Sequence, residues 1–436
     1  MAHKLFLFNF LILPFFFAAC NSLEPPPPEK TITLTLEDIS CIEAWIKLTT
    51  TNLQLPTTIT LKQSATGGDQ TLKTINLDKA DTLLYIDSLL PNVNYNFQVS
   101  SIQHQVSSNE LSVTTLDTTS HNFTWQTFEF GQHSSSVLYD VAIIDENNIW
   151  AVGEIYMNDS LGNLDPIFYN AAYWNGQNWK LKKIFYEGGI WTIKTIFAFS
   201  ANDIWFSAFV KYDGQNFIEL PIPPILTGWS INKIWGSSSN DLYVVGNNGN
   251  IAHYNESSWT KIVSGTDVDL KDIWGTSDGD KIFISGYSID FSRSILLKVT
   301  NNTTFTFWEN NTISGTLPYG NLIYSIRGYG NSLFISSNNG NFEDKLTINY
   351  QTQILFVVPR RVYKITVTNK NDIYTAGNRS NLWHYNGVSK KELYVNLAVP
   401  SPFFSIAAKG NTIIAVGTKV ESVVYHKATI VIGRRI

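Results

Sequence analysis

The chain has 436 residues, long enough for two or three domains and a substantial buried core. Charged residues make up only 15% while aromatic residues reach 14%, a balance that suits an exported β protein rather than a heavily charged helical one. The net charge is −5 and no Lys/Arg cluster is present, so nothing in the sequence would neutralise phosphates and nucleic acid is excluded as a partner.

The first elements are for targeting. Lys4 gives a short basic region, and Leu5 to Phe17 form an apolar run too short for an ordinary membrane span. The run closes as Phe17-Ala18-Ala19-Cys20, which resembles a bacterial lipobox. The resemblance implies a signal peptide over 1–19 and a lipid on Cys20, which would attach the protein to a membrane. Residues 20–30 follow as a tether in which Pro25 to Pro28 favour an extended, semi-rigid backbone. With Cys20 lipidated only Cys41 remains, so no internal disulfide is expected. Its apolar surroundings, Ile42, Ala44, Trp45 and Ile46, predict a buried, inert thiol.

Residues 31–117 alternate apolar and polar side chains at Ile32, Leu34 and Leu36, at Ile42 to Leu48, and at Ile59 and Leu61. Period-two runs of this kind predict a half-buried antiparallel β-sandwich. The stretch Leu89-Leu90-Pro91-Asn92-Val93-Asn94-Tyr95 resembles the turn and tyrosine of fibronectin type III domains, and Trp45 stands where that family carries its core tryptophan. The resemblance implies a spacer or interaction module.

From residue 121 to 436 one phrase recurs seven times: an apolar strand, a polar corner, then an apolar-aromatic strand usually closed by glycine. The corners include Asn147-Asn148-Ile149-Trp150, Asn202-Asp203-Ile204-Trp205, Asn240-Asp241-Leu242-Tyr243 and Asn371-Asp372-Ile373-Tyr374. Their apolar anchors stand at 149, 204, 242, 282, 333, 373 and 413, a base spacing of roughly 40 residues that predicts the blades of a seven-bladed β-propeller. The whole protein is thus expected to be all-β. The last repeat lacks a tryptophan-led outer strand, whereas Phe123 to Phe130 look like one without an inner strand. Those two ends are expected to pair and close the ring, which removes exposed sheet edges.

The third repeat carries Val245-Gly246-Asn247-Asn248-Gly249-Asn250-Ile251 followed by Trp259. This resembles propellers related to the photosystem II assembly factor and to Asp-box repeats. No complete Ser-x-Asp-x-Gly-x-Thr-Trp box is present, so the resemblance implies the fold and not an activity.

Two long steps mark insertions and the candidate ligand-binding loops. The first holds Glu154, Tyr156, Asp159, Asp165 and Tyr169; the second, between blades four and five, holds Trp308 and Tyr319. Acids beside aromatic rings suit sugar or protein binding at the channel face. Asp140, Asp267 and Asp269 are further carboxylates that could approach the channel, where a glycosidase would need two of them across a bond. His253 and His384 occupy equivalent positions of the repeat, which favours a structural role over metal ligation. No catalytic residue, metal or cofactor is expected. The sequence therefore reads as a non-catalytic, lipid-anchored envelope protein, at the outer membrane, whose propeller captures a glycan or protein. A polysaccharide-active enzyme and an envelope assembly factor are the alternatives.

Overall fold

The structure is a computed structural model, and it describes residues 28–436 apart from 67, 69, 310–321, 331, 339, 346–352, 359, 394, 396, 398 and 423. Two compact units emerge. The first takes in the residues up to Leu36, Ile46–Leu84 and Tyr95–Ser112; the second takes in Glu37–Trp45, Tyr85–Asn94 and Val113–Ile436. The N-terminal strands form two sheets. One orders Thr31–Ile39, Ala44–Thr51 and Asp81–Ile86; the other joins Gln70–Leu77, Thr57–Ala65, Asn94–Ser101 and Val106–Ser107, with Leu111–Thr114 also on Asn94–Ser101. The alternating pattern is realised along Asn94–Ser101, where every second side chain is buried, Tyr95, Phe97 and Val99 among them.

The second unit contains, among the described residues, seven four-stranded antiparallel sheets. Their inner strands are Val137–Asp145, Ile196–Ser200, Ile231–Ser238, Leu270–Gly275, Ile323–Tyr329, Val362–Asn369 and Phe403–Lys409. Each inner strand packs beside the next, and that of blade seven packs beside that of blade one, so the sheets form a closed propeller. Blade seven takes its outer strand from the start of the domain: Phe123–Phe130 runs antiparallel to His426–Arg435, with Trp125 opposite Gly433.

Local chemistry explains the repeated phrase. The glycine that closes the second strand faces the backbone entering the inner strand. A Cβ on Gly377 would lie 2.1 Å from the Arg361 carbonyl oxygen, so no larger residue fits. Inner strands three and four both contain Ile-Trp-Gly, and the pairing of tryptophan with glycine runs between blades. The Trp235 ring of blade three covers Gly275 of blade four, and Trp274 of blade four covers Gly328 of blade five. Inter-blade cores such as Trp235, Val245, Ile262, Leu270 and Ile284 fill the remaining space with apolar side chains.

The histidines of the repeat are built into this frame. His253 Nε2 lies 2.6 Å from Asp241 Oδ1 while its ring stacks on Tyr243 at 4.1 Å. His384 Nε2 lies 3.0 Å from Asp372 Oδ1 and stacks on Tyr374 at 4.6 Å. In both blades the corner aspartate thus orients a third-strand histidine across the second-strand tyrosine.

Candidate ligand-binding site at the channel mouth

Six of the seven inner strands carry a β-bulge at one equivalent position, between Leu138 and Asp140, Ile231 and Lys233, Leu270 and Asp272, Ile323 and Ser325, Val362 and Lys364, and Phe403 and Ser405. A bulge sets two successive residues against one partner and re-aims their side chains. The extra residues are Tyr139, Asn232, Lys271, Tyr324, Tyr363 and Phe404, and all six line a cavity of about 390 Å³ at one mouth of the channel. The residues that follow them form its floor or lie just beneath.

That floor is a ring of ions and hydroxyls. Asp140 is buried and pairs with Lys233; it accepts from Thr195 Oγ1 at 2.8 Å, the Ile196 N–H at 3.2 Å and Ser405 Oγ at 2.8 Å. Asp272 repeats the arrangement three blades on, accepting from Ser325 Oγ at 2.6 Å and the Ile326 N–H at 3.1 Å. It also receives Lys364 Nζ at 2.6 Å and Arg327 at 3.2 Å. Each aspartate therefore joins its own inner strand to the next one, which no β-ladder does.

The electrostatics of the ring are unbalanced. Burial alone would raise both carboxyls, but Lys233 and Lys364 hold Asp140 below the ordinary carboxylate range, and Arg327 and Lys364 do the same for Asp272. Three cations, the buried Lys233 and Lys364 and the half-buried Arg327, share these two carboxylates. Lys364 bears the consequence: burial, then repulsion from Arg327, lowers its ammonium to about 7. A second cavity of about 250 Å³ lies beyond the ring, with Asp140, Lys233 and Ser405 shared between the two.

The cavity wall is a belt of touching aromatic rings. Tyr139 meets Phe404 at 6.4 Å, Phe404 stacks with Tyr363 at 5.9 Å, and Tyr363 meets Tyr324 edge-on at 6.4 Å. Tyr287 continues the belt, 5.6 Å from Tyr324 and 5.7 Å from Phe291. The Arg361 guanidinium lies over the Phe291 ring at 5.0 Å and the Tyr324 ring at 5.9 Å. Phe291 is itself 43% exposed with φ at 58°, a left-handed conformation that costs a bulky residue about 1–3 kcal/mol and that clusters at ligand clamps. Arg361 and Lys194 have no carboxylate within ion-pair distance among the described residues, while Lys271 is held by Asp269 at 3.0 Å.

The residues singled out by sequence are placed elsewhere. Glu154 is next to last in the second strand of blade one and accepts from Thr192 Oγ1 at 2.6 Å and from the Tyr156 hydroxyl at 3.1 Å. Tyr156 packs on His133 and Phe168, Asp159 accepts the Leu161 and Asn163 N–H groups, and Asp165 pairs with Lys183 at 2.5 Å. Lys183 also lies over Tyr169, which begins a strand. These five form a self-braced loop and strand ends, and none lines the mouth cavity. Trp308, expected on a loop, sits on the outer strand of blade four, Thr303–Glu309, and packs on the core around Phe283 and Leu296. Tyr319, Cys20 and the 1–19 leader lie outside the described residues. Cys41 is buried, with its thiol pushed up to about 11 by burial and then by Asp117.

Sequence reasoning flagged Asp140 but missed the rest of the ring and belt. A usable signal exists in the inner strands: apolar, any residue, polar, Ile or Val. It reads Leu138-Tyr139-Asp140-Val141, Ile193-Lys194-Thr195-Ile196, Ile231-Asn232-Lys233-Ile234 and Leu270-Lys271-Asp272-Ile273. It continues through Ser325, Lys364 and Ser405, a polar side chain in strands that are otherwise apolar.

No protein-family model and no curated protein matches the sequence. Among solved structures, one of YCF48 bound to D1 peptide is similar at a TM-score of 0.52 and 15% identity, over 73% of this chain and 99% of that one. A structure of YCF48 from Cyanidioschyzon merolae aligns at a TM-score of 0.47 and 12% identity, over 71% of this chain and 98% of that one. The first likeness shows the fold, a β-propeller.

Proposed function

We propose that the propeller is a non-catalytic binding module that captures a protein ligand through a peptide segment entering the channel mouth. The observation that carries this reading is the aromatic belt around a cavity of about 390 Å³ whose lining also includes Asp140, Lys233, Lys364 and Ser405 of the ion ring, a concave aromatic site with a few convergent polar groups. The lipid anchor on Cys20, the proline tether and the fibronectin-like spacer belong to the same proposal, since together they would hold the propeller away from an envelope membrane.

Peptide is favoured over glycan because the belt rings already face one another or lie under Arg361. A pyranose needs an open ring face to stack on. The peptide named with the similar YCF48 structure is compatible with this choice. The enzyme alternative has less support, since Asp140, Glu154, Asp159, Asp165, Asp267 and Asp269 are each committed to a donor. A hydrolase would instead hold two carboxylates facing a substrate.

Crosslinking the intact lipoprotein in its own cells tests the reading. A stoichiometric protein partner that is lost in Tyr363→Ala and Phe291→Ala is the expected result. A partner retained by both variants, or retention of the wild type on envelope polysaccharide alone, overturns it.

A further inference from the structure

We infer that the captured segment presents a carboxylate to the channel mouth, where it completes the charge balance of the inner-strand ring. The inference rests on the peptide-capture reading above and adds the ligand's chemistry to it.

The charge count carries it. Lys233, Arg327 and Lys364 share Asp140 and Asp272, three basic side chains on two carboxylates, and Lys364 gives up its proton most readily of the three, so a ligand carboxylate beside it would hold that proton in place. Above them, Lys194 donates to the Ser230 hydroxyl and Arg361 rests on ring faces, so two more cations meet the cavity without carboxylate partners among the described residues. Lys194, Lys233, Lys364 and Arg361 all line one cavity of about 390 Å³. Lys194 and Arg361 are both exposed and solvated in the free protein, so their attraction for an anion grows only as a ligand covers the cavity and excludes water from it.

Arg361 is suited to the anion because its planar fork matches a carboxylate with two parallel hydrogen bonds. It is exposed, as Lys194 is, but rests on ring faces whereas Lys194 donates to Ser230, so it is free to turn towards a ligand. Lys364, Lys233 and Ser405 line the same cavity as Arg361, so an acidic group held by Arg361 would lie in a cationic surrounding. An apolar or aromatic neighbour in the ligand would then meet the belt at Tyr363 and Phe291.

Two sources of the carboxylate share this chemistry, an Asp or Glu side group and the free carboxy terminus of a polypeptide. A random heptapeptide library displayed in two formats, with a free C-terminus or internal to a carrier, separates them when selected on the mature protein. The expected result is binders rich in Asp and Glu from the internal format, or binders from the free-ended format that amidation of the terminus abolishes. With a synthetic copy of the best binder, Arg361→Gln should weaken affinity about tenfold and Lys194→Gln by a smaller factor, both with unchanged melting temperature. Binders that are lost in Phe291→Ala yet are not acidic and ignore Arg361→Gln would overturn the carboxylate while leaving peptide capture in place. No binder from either format would overturn both.

Discussion

Lys364 Nζ on the inner strand of blade six lies 2.6 Å from Asp272 Oδ1 on that of blade four, reaching past blade five to do so. Arg327 of blade five meets the same carboxylate, and Asp140 gathers blades two, three and seven in the same way. Inner strands of a propeller share no ladder with each other, so these side chains supply the polar cross-links around the channel.

Removing the centre of such a cluster leaves its cations uncompensated. Asp272→Asn should lower stability by about 3–5 kcal/mol, the usual cost of breaking a buried pair from one side. The double variant Asp272→Asn, Lys364→Met should recover part of the loss. Urea unfolding of the three proteins checks both statements, and a single-variant loss below about 1 kcal/mol would show that the ring contributes little.

The blade-to-blade contacts make a second prediction. A Cβ at Gly275 would stand 2.4 Å from the Trp235 ring, which is too large and too enclosed to step aside. Gly275→Ala should cost roughly 1–3 kcal/mol by overpacking, read as a drop in denaturation midpoint. Trp235→Phe in the same background should restore some of it by shortening the ring.

Acid should loosen the segment that leads into the propeller. His384 Nε2 faces Asp372 Oδ1 at 3.0 Å, and its Nδ1 lies 2.8 Å from His121 Nδ1, so one ring must donate and the other accept. A further proton on the pair removes the acceptor. Burial, helped by the neighbouring His384, Lys391 and Arg435, lowers His121 to about 4, and burial lowers His384 despite Asp372. Because both folded-state values lie below the unfolded one, stability is complete above about 6.5 and falls as pH drops from there towards 4. Melting temperature followed from pH 7 to 4 should show this slope in the wild type and a shallower one in His121→Asn. Asp372, held at about 2, titrates below that window.

Ring closure is testable by deletion. Without Phe123–Phe130, the His426–Arg435 strand would present an unpaired edge where eight pairs now stand. The truncated protein should elute as aggregates in size-exclusion chromatography, since a long apolar edge templates further pairing. A monomeric, cooperatively folding truncation would contradict it.

The legible part of this protein was its repeat. Asn-Asp corners, strand-closing glycines and apolar alternation are local requirements, each met within one blade, so they show in the order of residues. The closing strand was legible too, because a propeller missing one strand at its end needs a spare one at its start. His253 and His384 could be paired by position alone.

The site was not legible in the same way. Glu154, Tyr156, Asp159, Asp165 and Tyr169 stand close in sequence and are rich in acids and rings, yet they brace one another beside blade one. Tyr139, Tyr287, Tyr324, Tyr363 and Phe404 come from five blades and are scattered over more than half the sequence, yet they share one cavity. Sequence by itself determined the blade, the number of blades and the way they close, because backbone hydrogen bonding and period-two burial act over a few residues. Only the tertiary structure decided which side chains meet at the channel, because bulges in the inner strands and the seven-fold arrangement bring residues far apart in sequence to a common axis.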